Sequence, residues 1–321
     1  MVNKVQLYHR SSDQAMFTGI DDGKRTTTIN LKLKENKRHG YFGKIEGGVA
    51  NTYYNNQAFF NRFNGKEKIS IYGTYSNTGT TGLGFSEQSK LGTTADNISI
   101  VDGLITVHDD GGSLDNYNGQ YNGAGIPSVL TGGAHYDNKW NDDKESLNAN
   151  YKVGRIDTKG ENRTIQQQNI GIDSSQFNNS TEKFDNYTSR QKIDAFFKLQ
   201  LDSLASITFA ANGTISNNNS DDSFEGQIKN SSDILINSSE RTVRDNGKNK
   251  NFNSDLRYLQ KFRKKRRSFI LDLSQGYNNK DIMTYLYSEI NFYNQDDENK
   301  ANQIVDQLKK SKFYNQIYGG L

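Results

Sequence analysis

Between Lys192 and Ile215 the chain alternates apolar and polar residues with a period of two, breaks at Asp202–Ala205, and alternates again. Before the break Ile193, Ala195, Phe197, Leu199 and Leu201 fall on one side, and Lys192, Asp194, Lys198 and Gln200 on the other, with Phe196 out of pattern. After it Ile207, Phe209, Ala211, Gly213 and Ile215 oppose Ser206, Thr208, Asn212 and Thr214, with Ala210 out of pattern. A period of two on both sides of a tight break describes a hairpin of strands with two unlike faces. It does not fit an amphipathic helix, whose period is about 3.6.

The pattern recurs along the chain. Leu147, Ala149, Tyr151 and Val153 oppose Ser146, Asn148, Asn150 and Lys152. Ile69, Ile71, Gly73 and Tyr75 oppose Lys68, Ser70 and Thr74, with Tyr72 out of place. Phe269, Leu271 and Leu273 continue it, and Tyr285, Tyr287, Phe292 and Tyr293 mark a strand near Ile282–Asn294. Short turns are predicted at Asn64–Glu67, Asn141–Lys144, Asp202–Ala205 and Arg263–Arg267, the first on an Asn-Gly hairpin signal. Stretches rich in Asn, Asp, Ser and Gly predict long loops at Asn77–Ile126, Arg155–Tyr187 and Ser216–Lys250. Asn291–Lys312 places Ile304 and Leu308 at helical spacing among charges, and reads as either a short amphipathic helix or a loop.

Composition narrows the class. Hydrophobic residues are 32% of 321, and about 41% once the 29 glycines are added, below the ~45–50% of a globular domain. Disorder and a barrel with a wet lumen both fit that deficit. Aromatic residues at 11% argue for the barrel, since disordered chains have few. No apolar run reaches the ~20 residues of a membrane helix, whereas barrel strands cross with about 9–11. The single proline, Pro127, leaves sheet ladders almost uninterrupted. The lack of cysteine excludes disulfides and thiolate metal sites. With 40 basic and 37 acidic residues, the charge balance does not indicate a nucleic-acid partner.

Phe17–Gly23, Thr28–Lys34, Gly40–Lys44, Asn61–Phe63 and Lys68–Ile71 resemble, in order and spacing, outer-membrane β-barrel proteins of the TonB-dependent-receptor type where plug passes into barrel. Gly125–Tyr136 and Trp140 resemble a later strand of the same barrel. The resemblance implies an all-β fold: an antiparallel transmembrane β-barrel, here partial with about ten strands, with short periplasmic turns and long extracellular loops. Residues 1–36 become the tail of a plug-like domain and 37–321 the N-terminal half of the barrel. Orientation follows, with Asn64–Glu67 the first periplasmic turn. It also implies outer-membrane localisation and lipid as partner. Through the intact parent it implies a nutrient ligand and an energy-coupling periplasmic protein. Ligand contacts are expected from Asn77–Ile126 and lumen-facing polar residues, without single residues named. Met1–Tyr8 lacks the apolar core of a signal peptide, so the expectation is an upstream start or a fragment.

Tyr53, Tyr54, Phe59, Phe60, Phe63, Tyr136 and Trp140 lie at strand ends and read as interfacial girdles, against ordinary sheet core. Lys261–Arg267 reads as a solvated turn rather than a nucleic-acid or headgroup patch. His9, His39, His108 and His135 are scattered without ligand spacing. Asp109-Asp110, Asp142-Asp143, Asp221-Asp222 and Asp296-Asp297-Glu298 lack a calcium-loop pattern. Gly123-Ala124-Gly125 is no phosphate loop, and no nucleophile elbow occurs. The expectation is a non-enzyme without cofactor, metal or catalytic residues. The alternative is a secreted or surface β-rich binding protein, an adhesin or glycan-binding module. Its sheets would bury Ile193, Phe197, Ile207 and Phe209 between them.

Overall fold

A computed structural model describes residues 2–11, 23, 25–33, 39–83, 98–101, 104–107, 120–171, 174–264, 267–294 and 297–320. All elements among them are strands. β1 (Val2–Ser11) and β2 (Arg25–Leu33) form a hairpin of their own. β3 (His39–Ala50), β4 (Tyr53–Asn64) and β5 (Glu67–Ser76) follow. β6 (Ile98–Val101) and β7 (Leu104–Val107) make a second small hairpin. Then come β8 (Ile126–Trp140), β9 (Glu145–Gly171), β10 (Ser174–Gln200), β11 (Ala205–Asn230), β12 (Leu235–Lys261), β13 (Ser268–Asn294) and β14 (Asp297–Gly320).

β3, β4, β5 and β8 to β14 build one antiparallel sheet of ten strands, each paired with its neighbour in chain order. Among the described residues nothing pairs with the outer edge of β3 or of β14, so the sheet is open. The four predicted short turns are present. Gly65 supplies the left-handed φ of 66° between β4 and β5. Asn141, Asp142 and Asp143, all at positive φ, close β8–β9. Asp202 closes β10–β11 by accepting the Leu204 and Ala205 N–H groups at 2.6 and 2.7 Å. Phe262 donates to the Arg267 carbonyl at 3.0 Å between β12 and β13.

Two predicted loops are not loops. Arg155–Tyr187 belongs mostly to β9 and β10, and Ser216–Lys250 to β11 and β12 with only a short turn between. Asn, Asp and Ser favour turns when nothing else fixes the backbone. Here the ladder started by the alternating segments continues without a break, from Gln200↔Ser206 to Gln176↔Asn230. Asn291–Lys312 is likewise neither helix nor loop where described: β14 pairs with β13 from Leu273↔Gly320 to Phe292↔Ala301. β9 to β13 therefore run 26 or 27 residues, about 90 Å at ~3.4 Å per residue.

Among the described residues there is no conventional core. It exposes 21328 Å², where a compact 36.3 kDa monomer exposes about 13,400 Å². Buried apolar side chains among the described residues are few, with Leu83, Val129 and Ile156 the most enclosed.

Candidate functional site

Cross-strand pairing assigns the described side chains of the ten-stranded sheet to one of two faces. One row runs Phe60, Ile71, Ala134, Tyr151, Ile193, Gly213, Phe252, Tyr277. Two residues nearer the short turns the row is Ile69, Tyr136, Ala149, Ala195, Ala211, and beyond it Leu147, Phe197, Phe209, Leu256, Leu273. This apolar band spans Ile193 to Leu199 on β10, with Leu201 just past its end, and Ile207 to Ile215 on β11, within the ~9–11 residues of a bilayer-crossing strand. No second sheet covers it among the described residues. Ile193 keeps 51% of its surface and Phe209 37%, and Phe197 and Ile207 are only half-buried. The burial that a sandwich requires is not seen among the described residues.

The opposite face is polar at the same depth. One row crosses seven strands as Asn61, Ser70, His135, Asn150, Asp194, Asn212, Asn253. Its members bond sideways: His135 Nδ1 lies 2.7 Å from Asn150 Oδ1, and Asn253 donates to Asn212 at 3.1 Å. The neighbouring row adds Asn148 to Asp137 at 2.8 Å and Ser274 to Asp255 at 2.7 Å. Asn55, Thr74, Asn249 and Asn278 each hold a buried side-chain oxygen without a hydrogen-bond partner, and all four lie on this face.

The first described residues after β5 fold back over this face. Thr131 Oγ1 donates to the Thr81 carbonyl at 2.9 Å and Gln57 Nε2 to the Gly82 carbonyl at 3.0 Å. Thr80 bridges to Gln120, and Leu83 is 1% exposed. Asn77–Leu83 is thus pinned to the polar side of β4 and β8. This joins the described start of the predicted ligand-contacting loop to the polar residues expected beside it. Most of Asn77–Ile126 lies outside the described residues.

The aromatic residues divide between the faces. Tyr54, Phe60, Tyr136 and Trp140 stand with the apolar band, and Tyr54 stacks on Tyr75 at 4.4 Å. Tyr53, Phe59 and Phe63 are on the polar face, where Phe59 and Phe63 gather round Phe42 at 6.0 and 6.4 Å. These three lie opposite the apolar band because odd and even positions of one strand point to opposite sides.

The remaining candidates have ordinary partners. Among the described residues no three His, Asp or Glu side chains are placed to hold a metal ion. Asp221 bonds Arg244 at 3.1 Å and Asp222 accepts from Ser220 at 2.6 Å. His108, Asp109, Asp110 and Asp296 lie outside the described residues, as do Lys265 and Arg266 of the basic turn. Beyond the apolar band, Glu225, Glu240 and Glu289 sit side by side on β11, β12 and β13, a feature the sequence gives no sign of. Hydrogen bonds from Tyr287 (2.8 Å), then Asn291 and Asn302 (3.2 Å each), hold the Glu289 carboxyl below its usual range. No protein-family model matches the chain, and no curated protein matches it.

Proposed function

We propose that this chain forms part of an outer-membrane β-barrel of the TonB-dependent-receptor type. In the parent protein, a nutrient ligand passes through the plugged lumen with energy delivered by a periplasmic partner. The observation that carries the membrane reading is the exposed apolar band of strand-crossing depth, backed at the same level by a hydrogen-bonded polar face. Lipid covers the band, and the polar face lines the lumen. Tyr54 and Tyr75 stand at the outer rim of the band, and Trp140 lies at the short-turn end. Receptor type and energised uptake rest on the sequence resemblance. The open edges of β3 and β14 pair with further strands in the complete barrel, since unpaired backbone groups in lipid cost several kcal/mol each.

The chain has no cysteine, so single-cysteine reporters are clean. Cysteines are placed in turn at Phe209, Ala210, Ala211 and Asn212 and probed in membranes with an impermeant maleimide. Positions 210 and 212 are expected to label and 209 and 211 to be shielded. Equal labelling at all four, or recovery of the protein in the soluble fraction, sinks the membrane reading. The β-rich surface-binding alternative then takes its place.

A further inference from the structure

We propose that a trough over Gly213 seats an acyl chain of an anionic membrane lipid, whose phosphate is held by Lys250 and Lys248. This rests on the membrane reading above. In the row Tyr151–Ile193–Gly213–Phe252–Tyr277 the middle position has no side chain. The gap opens a hollow of about 330 Å³ lined by Tyr151, Ile193, Gly213, Ile215, Phe252 and Lys250. A Cβ on Gly213 would lie 3.3 Å from Ile193 Cγ2 and 3.4 Å from Phe252 Cδ2, so its walls stand close to its floor. Towards the short turns the floor continues over Ala211, flanked by Ala195 and Ser254.

The mouth of the trough is cationic. Lys250 is paired across the ladder with Ile215, the last apolar residue of the band on β11. Lys248 stands two residues further out on the same face. Among the described residues neither lysine is in an ion pair. By contrast Arg155 holds Asp157 at 2.7 Å, and Lys312 holds Asp281, the residue facing Lys248, at 3.3 Å. A second apolar hollow, about 680 Å³ over Gly73 between Phe60 and Ile71, lacks this feature: the lysine lining it, Lys44, is held by Glu46 at 2.5 Å. The Gly213 trough alone of the two joins an apolar slot to unmatched positive charge at the depth of lipid headgroups. That combination matches a phosphorylated lipid.

The test uses the full chain in vesicles of phosphatidylcholine containing a minority of phosphatidylglycerol. Spin-labelled versions of each lipid report the fraction held at the protein surface. Wild type is expected to hold phosphatidylglycerol in preference to phosphatidylcholine. Lys248→Gln with Lys250→Gln lowers the preference about fivefold per lysine removed. Gly213→Leu fills the slot and reduces retention of both lipids. An unchanged preference in the double lysine variant overturns the proposal, and so does equal retention of both lipids by wild type. The alternating cysteine pattern at positions 209–212, read in the same vesicles, separates the two ideas. If it is lost, the membrane reading fails. If it holds and the preference does not change, only the lipid site fails.

Discussion

Lys66 Nζ and Asp143 Oδ1 meet at 2.7 Å and tie the β4–β5 turn to the β8–β9 turn across 77 residues of chain. Asp143 belongs to the run of three residues at positive φ that closes β8–β9. Both side chains are more than half exposed, so the pair is screened. A double-mutant cycle with Lys66→Ala and Asp143→Ala is expected to give a coupling of about 0.2–1 kcal/mol in denaturant titrations. The coupling should shrink as salt is raised. One that is large and indifferent to salt would contradict the screened geometry.

Tyr72 explains its own misfit in the alternation. It lies on the polar face beside its cross-strand partner Gly133, where a Cβ would come within 2.6 Å of the Tyr72 ring. Gly133→Ala is expected to destabilise by about 1–3 kcal/mol through overpacking. Adding Tyr72→Ala should recover part of that loss, giving a non-additive pair in thermal or denaturant unfolding. Simple addition of the two effects would count against this contact.

Leu83 anchors the segment folded over the polar face. Leu83→Ala removes a side chain that is 1% exposed and is expected to cost about 2–5 kcal/mol in the packing of that segment. Hydrogen–deuterium exchange should then speed up at residues 77–83 and at Val129–Thr131, with β12 and β13 unaffected. Unchanged exchange at residues 77–83 would show that the hydrogen bonds from Thr131 and Gln57 suffice without the apolar anchor.

Glu289 ties the outer part of the sheet to pH. Its folded-state value is lowered, chiefly by the Tyr287 hydroxyl. Its stabilising effect is therefore complete above the ordinary carboxylate range and is lost as pH falls through the lowered value. Tyr287→Phe is expected to move the Glu289 midpoint upward in a side-chain carboxyl NMR titration. An unmoved midpoint would leave the amides of Asn291 and Asn302 as the groups responsible.

Alternation was legible wherever one face is apolar, since the period of two is written directly at Ile193–Leu201 and Ile207–Ile215. The short turns were legible from Asn-Gly at residues 64–65 and from Asp202. The outer halves of β9 to β12 were not, because polar residues on both faces leave no period, and their composition is that of loops. Their strand state comes from pairing with neighbours already in register. The polar face was legible as a set of alternating positions. Its sideways bonds were hidden: the partners of His135–Asn150 and Asn212–Asn253 are fixed by register, which no local segment contains.

The outer halves of β9 to β12 carry mostly hydrophilic side chains on both faces. A strand with one greasy side tolerates no single-residue slip, because every side chain would change sides. Where both sides are hydrophilic, such a slip exchanges one wettable surface for another. Matched insertions or deletions on the two arms of a hairpin there would alter how far it reaches without disturbing the segment below. Reach and anchoring are thus separable in this architecture: one can be lengthened or cut back while the other stays as it is.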